Sequence, residues 1–262
     1  MNTRTVLTVG VCVATLVTCS AGAAGLETSG DVSATVASSY VWRGKEINDD
    51  AVVQPQIALC IDKWTLTAWG TWDVIADEGS SARTRVDVQV DYGIDWKRLM
   101  LKGGAVVRAY HDDPAGKATD TYEVYAQVAA SDLEFSPSLT VYYDFGTIDG
   151  VYASLAAGDA MALREWIDLA VDVRLGVGSD GFNRRFFGKT SAGTEGDAGI
   201  DIKGGLVDIS ASLSFPIVHK ELVITPKLEF STLIDSALRD AAVADDRKAD
   251  SLSGSISVAW AF

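Results

Sequence analysis

The chain has 262 residues, 48% of them hydrophobic, and 22 basic against 36 acidic side chains give a net charge of −14. That balance argues against nucleic acid, whose phosphates demand a basic face. After the first 23 residues no apolar stretch approaches the roughly 18 residues of a membrane-spanning helix.

Residues 1–23 read as an export signal. Arg4 supplies the positive start, Val6 to Val17 the apolar core, and Ala21-Gly22-Ala23 a small-residue cleavage site. A rival reading makes Leu16-Val17-Thr18-Cys19 a lipoprotein box, but Thr18 is bulky for the position before a modified cysteine, so simple cleavage is preferred. Removing the signal takes away Arg4 and no acid, which leaves 21 bases against 36 acids, a net −15. Cys12 and Cys19 leave with the signal. The mature chain, residues 24–262, is read as one domain holding only Cys60, which alone forms no internal disulfide.

From Gly30 onward apolar residues recur at every second position, the rhythm of a strand with one oily and one polar face. Twelve segments follow. In the first, Val32, Ala34, Val36, Tyr40 and Trp42 alternate with Asp31, Ser33, Thr35, Ser39 and Arg43; in the second, Val53, Ile57, Leu59 and Ile61 oppose Gln54 and Gln56. The third sets Trp64, Leu66, Ala68, Trp72 and Val74 against Thr65, Thr67, Thr71 and Asp73. The fourth sets Thr84, Val86, Val88, Val90 and Tyr92 against Arg83, Arg85, Asp87, Gln89 and Asp91, a spacing no soluble helix tolerates. The fifth, Leu99 to Tyr110, carries Lys102 and Arg108 on its polar parity, and the sixth places Tyr122, Val124, Ala126 and Val128 opposite Thr121, Glu123, Tyr125 and Gln127. Leu139, Val141, Tyr143 and Phe145 alternate with Thr140, Tyr142 and Asp144 in the seventh, and a short eighth shows Val151, Ala153 and Leu155. The ninth has Ile167, Leu169, Val171, Val173 and Leu175 opposite Asp168, Asp172 and Arg174; the tenth has Val207, Ile209, Ala211, Leu213 and Phe215 opposite Asp208, Ser210, Ser212 and Ser214. Leu222, Ile224, Leu228 and Phe230 oppose Thr225, Lys227 and Glu229 in the eleventh. The last alternates Leu252, Gly254, Ile256, Val258, Trp260 and Phe262 with serines and alanines to the chain end.

Quick turns are expected at Ile61-Asp62-Lys63, Gly93-Ile94-Asp95, Ser131-Asp132-Leu133 and Val218-His219-Lys220, and long loops over 178–197 and 232–249. Short turns at one rim and long loops at the other describe an all-β fold: a transmembrane up-and-down antiparallel β-barrel, exported to the bacterial outer membrane. Twelve strands is the preferred count. Ten or fourteen stay open, because the eighth segment is short and 198–205 can add another.

The oily parity then faces lipid, as strands of roughly 9 to 13 residues with charges in mid-strand on the opposite parity suit a bilayer better than a two-sheet sandwich. Outward aromatics form two girdles, Tyr40, Trp42, Trp72, Tyr143 and Phe145 at one rim and Trp64, Tyr92 and Phe215 at the other. Closure needs the last strand to pair with the first, because an unpaired edge in hydrocarbon leaves backbone groups without partners. Terminal Phe262 with Trp260 resembles the C-terminal signal read by the outer-membrane assembly machinery.

Two segments carry a family resemblance. "SSYVWRGKEINDDAVVQPQIAL" (38–59) resembles the first hairpin of the TorF-type putative porins, in which a polar-aromatic strand ends in Trp or Phe-Arg-Gly before a short acidic loop. "EVYAQVAASDLEFSPSLTVYYDFGTIDGVYASL" (123–155) is similar to the central hairpins of the same group. The resemblance covers about a third of the chain and implies a small outer-membrane channel. Residues 178–205, with Arg184-Arg185-Phe186-Phe187, match nothing in it.

The strand parities turn Arg43, Arg83, Arg85, Lys102, Arg108, Arg174 and Lys227 into the lumen beside Asp87, Asp91, Glu123, Asp144, Asp168, Asp172 and Glu229. A narrow barrel lined by both signs suits passive diffusion of small polar solutes or ions. The alternative is a non-conducting barrel whose internal charges pair and whose loops act as a structural or adhesive surface. Acidic loops at Lys45 to Asp50, His111-Asp112-Asp113 and Asp245-Asp246 are read as solvated charge, with cations shared with lipopolysaccharide as the sharper alternative. Hydrolase chemistry needs a nucleophile beside an oriented histidine. Only His111 and His219 exist in the sequence, placed at opposite rims, so catalysis is the weakest reading. No metal-ligand spacing appears, no cofactor is implied, and the Gly-rich 176–181 stretch has no following helix in this reading and cradles no phosphate.

Overall fold

The computed structural model describes residues 28–74, 84–111, 120–130, 132–188 and 200–262, without the side chains of Thr84 and His111. The export signal, Arg83 and Asp112-Asp113 lie outside the described residues.

In chain order the elements are β1 (Thr28–Ala37), β2 (Tyr40–Trp42), β3 (Lys45–Asn48), β4 (Val52–Ile61), β5 (Trp64–Asp73), β6 (Thr84–Trp96), β7 (Leu99–His111), β8 (Thr121–Ala129), β9 (Ser138–Asp144), β10 (Gly150–Arg164), β11 (Ile167–Gly178), α1 (Asp180–Phe187), β12 (Gly205–Ser214), β13 (Ile217–His219), β14 (Leu222–Leu233), α2 (Ser236–Ala244) and β15 (Asp250–Ala261). Leaving aside β2, β3 and the short β13, 12 antiparallel strands pair with their sequence neighbours, and β15 returns to β1 to close a barrel. In the closing seam Asp31 faces Ala261 and Val36 faces Ile256, and Gly30 and Phe262 exchange backbone hydrogen bonds at 2.9 Å. The final residue is thus held in the ladder, and no lateral edge is left along that seam.

The alternation has a simple physical outcome. Val32, Ile57, Leu66, Val88, Val90, Val124, Val141, Val171, Val173, Leu228, Ile256 and Val258 all project outward and stay exposed, while the residues between them turn inward. So much apolar surface on a barrel wall has no counterpart layer in the chain, and hydrocarbon is the medium that matches it.

Several expectations need correction. The chain does not run on from β1 through Trp42 along the wall: it leaves at Ser38 and folds β2 and β3 into the lumen as a hairpin, so Tyr40 and Trp42 are interior residues and not part of a girdle. Its turn places Arg43 at φ 50° and Gly44 at φ 77°, the two positive values a tight two-residue hairpin demands. The acidic Lys45–Asn48 stretch is accordingly inside the barrel, and the side chain of Glu46 is 4% exposed.

The turn expected at Gly93-Ile94-Asp95 comes later, at Lys97-Arg98, because β6 and β7 stay paired out to Trp96 and Leu99. The short eighth segment is in fact β10, 15 residues long. The two long loops contain helices: Ser179 caps α1, and Asp235 caps α2 by accepting hydrogen bonds from the Ala237 and Leu238 N–H groups. Residues 200–204 add no strand. Val207 points inward and not out, because a register shift opposite Leu175 to Val177 brings it to the interior beside Asp208.

Candidate functional site: the lumen

The inserted hairpin crosses the long-loop half of the lumen. At its base the Asn48 amide hydrogen-bonds Asp73 on β5, and Arg247, just past α2, donates to the carbonyls of Glu46 and Ile47 at 2.8 and 2.6 Å. At its tip a Cβ on Gly44 would lie 2.5 Å from Asp208 Cβ and 2.8 Å from Leu233 Cδ2, so only glycine lets the turn reach the opposite wall. Above it, Tyr152, Phe182, Phe187, Val207, Leu233, Leu238, Ala241 and Ala242 form an apolar core that joins α1 and α2 to the barrel.

Charge holds the hairpin in place. Arg43 donates two parallel hydrogen bonds to Glu123 on β8, both 2.8 Å, with the two side chains 4% and 0% exposed. Glu123 also accepts from Arg108 at 2.6 Å; Arg108 donates to Asp87 at 2.8 Å; and Asp87 accepts two bonds from Arg85. Arg85 in turn donates to the Tyr40 hydroxyl at 2.9 Å. The Trp42 ring sits among three guanidinium groups, 4.3 Å from Arg85, 4.5 Å from Arg43 and 4.9 Å from Arg108. Arg43 is also 4.6 Å from the Tyr142 and Tyr152 ring centres. Bidentate geometry and aromatic faces offset the cost of burying these charges, and removing one member would leave another uncompensated.

Five sequence candidates therefore meet in one ladder: Arg43, Arg85, Asp87, Arg108 and Glu123. The others are dispersed. Asp144 accepts from the Thr121 hydroxyl and from the N–H groups of Gly146 and Ile148, which makes it a brace for the turn after β9. Arg174 reaches Asp208 at 3.3 Å, and Asp208 accepts from the Tyr152 hydroxyl at 2.8 Å. Lower in the barrel Lys102 pairs with Asp91 at 3.1 Å, and Lys227 pairs with Glu229. Asp168 and Asp172 face the lumen from β11 without an ion pair to a described residue.

Sequence parity placed Tyr40 and Trp42 on the wrong face, and Trp69, Tyr152 and Asp208, which do lie on the inward parity, were not singled out as interior groups. The Arg43-Gly44 dipeptide between an aromatic and a polar segment was the readable signal for the hairpin. The bulge that turns Val207 inward leaves no sequence mark.

Beyond the membrane-facing wall, α1 has its own anchor. The Gly204 N–H and then the Arg184 guanidinium, at 2.5 and 2.8 Å, hold the Asp180 carboxyl below the usual carboxylate range. His219 is exposed in the β13–β14 turn, remote from this ladder in the fold.

No family model matches the sequence, and no curated protein matches it. Solved structures do match. LpxR from Salmonella typhimurium aligns with a TM-score of 0.55 at 10% identity, covering 88% of this chain and 99% of that chain. A NanC porin structure gives 0.52 at 11% identity, covering 88% and 98%. The KdgM porin in complex with disordered oligogalacturonate gives 0.51 at 11% identity, covering 89% and 99%. At such identities the likeness is one of fold: the chain shares the architecture of these closed antiparallel barrels.

Proposed function

We propose that this protein is an outer-membrane, porin-like channel through which small polar solutes or ions diffuse passively, narrowed by the β2–β3 hairpin, and that it is of the TorF type. The observation that carries this reading is the contrast between an apolar outer belt and a polar, charged inward face that keeps partly exposed groups in the short-turn half. There Lys227 and Glu229 keep side-chain exposures of 26% and 24% although they sit in mid-strand. Serines 253, 255 and 257 line the same region with small, half-buried hydroxyls. Twelve strands lie between the filled eight-strand barrel and the wide porins, so an aqueous path beside or below a plug fits the size. Two of the three similar structures are porins.

Under this reading the outward Trp260 and Phe262 serve as the recognition signal for the outer-membrane assembly machinery, and lipid with lipopolysaccharide surrounds the belt. No catalytic step is part of it. Single-channel recording of the purified, refolded barrel tests the proposal: discrete conductance steps are expected.

One observation favours a second reading, a non-conducting barrel that acts through its loops. The ladder from Tyr40 to Arg43 is continuous and buried, and hydrogen bonds on both sides hold the hairpin across the lumen. A correctly folded barrel that stays electrically silent would establish that reading and remove the channel.

A further inference from the structure

Given the channel reading, we infer that the short-turn half of the lumen selects cations, and that Asp172 sets the preference. Five residues on neighbouring strands lie directly opposite one another: Gly158 on β10, Asp172 on β11, Ser212 on β12, Glu229 on β14 and Ser253 on β15. All five share the inward face, since Val171, Val173, Leu213, Leu228 and Leu252 beside them project outward. The row therefore forms an arc of the lumen wall beneath the hairpin.

Charge balance in this arc differs from that in the ladder above. Every arginine of the ladder holds a carboxylate, and Arg174 is committed to Asp208 and the Ser210 hydroxyl. Lys227 neutralises Glu229, and Lys102 neutralises Asp91. Asp172 has no ion pair of its own: the base that acts on it is Lys227, which also serves Glu229, so these three side chains carry a net negative charge. Asp172 is 5% exposed, yet it makes no hydrogen bond or ion pair with any described residue. The Ser212 hydroxyl between it and Glu229 is likewise buried without a hydrogen-bond partner.

Gly158 makes this arrangement possible, because a Cβ there would lie 2.1 Å from Asp172 Oδ1. The carboxylate lies against the β10 backbone, on the lumen face. A carboxylate so deep, whose one basic neighbour also serves Glu229, is favoured by a further positive charge. A cation passing through the lumen is such a charge, with the Ser212 hydroxyl and Glu229 as further oxygen ligands.

Asp168 extends the bias toward the short-turn rim. It stands four residues earlier on β11 with the same parity, about 13 Å along the strand, and it too lacks an ion pair to a described residue. A cation entering from that rim meets Asp168 and then the net negative set of Asp172, Glu229 and Lys227, whereas an anion is repelled by both.

Reversal potentials under a KCl gradient, measured on the refolded full barrel in planar bilayers, test the inference. The wild type should pass K+ in preference to Cl−. Asp172→Asn should lower the K+ to Cl− permeability ratio about fourfold, the factor one charge at ~5 Å confers in a water-like medium. Glu229→Gln, which leaves Lys227 unopposed, should move the ratio in the same direction, and it serves as the second variant should Asp172→Asn lose heat-modifiable mobility. Asp180→Asn, on the exposed α1, should leave the ratio unchanged. Channels that prefer Cl−, or variants at 172 and 229 with wild-type ratios, overturn the inference while leaving the channel intact. A folded but silent wild type overturns the channel reading and the inference with it.

Discussion

The two halves of the lumen are built on opposite plans. In the long-loop half, bulky side chains from β5 to β10 meet an inserted hairpin, and every arginine finds a carboxylate or a ring. In the short-turn half, β12 and β15 offer mainly serines, β14 offers Lys227 and Glu229, and two acids on β11 make no ion pair with a described residue. The same alternating sequence rule produced both. What differs is the size of the inward residue: arginine, tyrosine and tryptophan fill space and bind the hairpin, whereas serine and glycine leave room for water.

The largest effect is expected where the filled half depends on a single ion pair. Arg43→Ala strips Glu123 of its bidentate partner and frees the hairpin tip; removing one partner of a buried pair costs about 3–5 kcal/mol. Denaturant unfolding in detergent should show this loss, and single-channel conductance should rise as the hairpin leaves the lumen. An unchanged conductance would mean that the hairpin does not narrow the path.

Next comes the parity of the wall. A lysine at outward Val88 should cost about 2–4 kcal/mol, the range for basic groups on the lipid face near the bilayer midplane. The same substitution at Gln89, one residue on, should cost much less, because it enters the lumen. Equal costs would show that the two faces meet similar surroundings.

Gly44→Ala comes third. Positive φ at a residue with a Cβ costs of order 1–3 kcal/mol, and the new methyl would run into Asp208. Asp235→Ala removes the N-cap of α2 and should cost about 1 kcal/mol, a small loss in the apolar core above the hairpin. Both are read from shifts in the unfolding midpoint.

Much of this organisation is legible in the sequence, because a strand between water and lipid writes its two faces as alternate letters. Val86 to Tyr92 and Leu252 to Phe262 are clear instances, and the closure of β15 on β1 followed from the need to leave no edge. The lumen was less readable. Tyr40 and Trp42 keep the outward parity of β1 although the chain has already left the wall, so periodicity carried on past the point where pairing stops. Val207 changed face through a bulge that depends on its neighbour β11 and not on its own residues. The helices were hidden in segments judged by length alone, although Ser179 and Asp235 stand at their first turns as capping residues. Pairing between Arg43 and Glu123, 80 residues apart, is a tertiary fact that no local pattern encodes.

The difference between the halves can be measured directly by thiol accessibility in a Cys60→Ser background. Ser255→Cys, on the open wall, should react with a membrane-impermeant thiol reagent and reduce the current. Thr71→Cys, beneath the hairpin, should resist the reagent until Arg43→Ala is added. Equal labelling of the two positions in the barrel with Arg43 in place would contradict a lumen filled at one end and watered at the other.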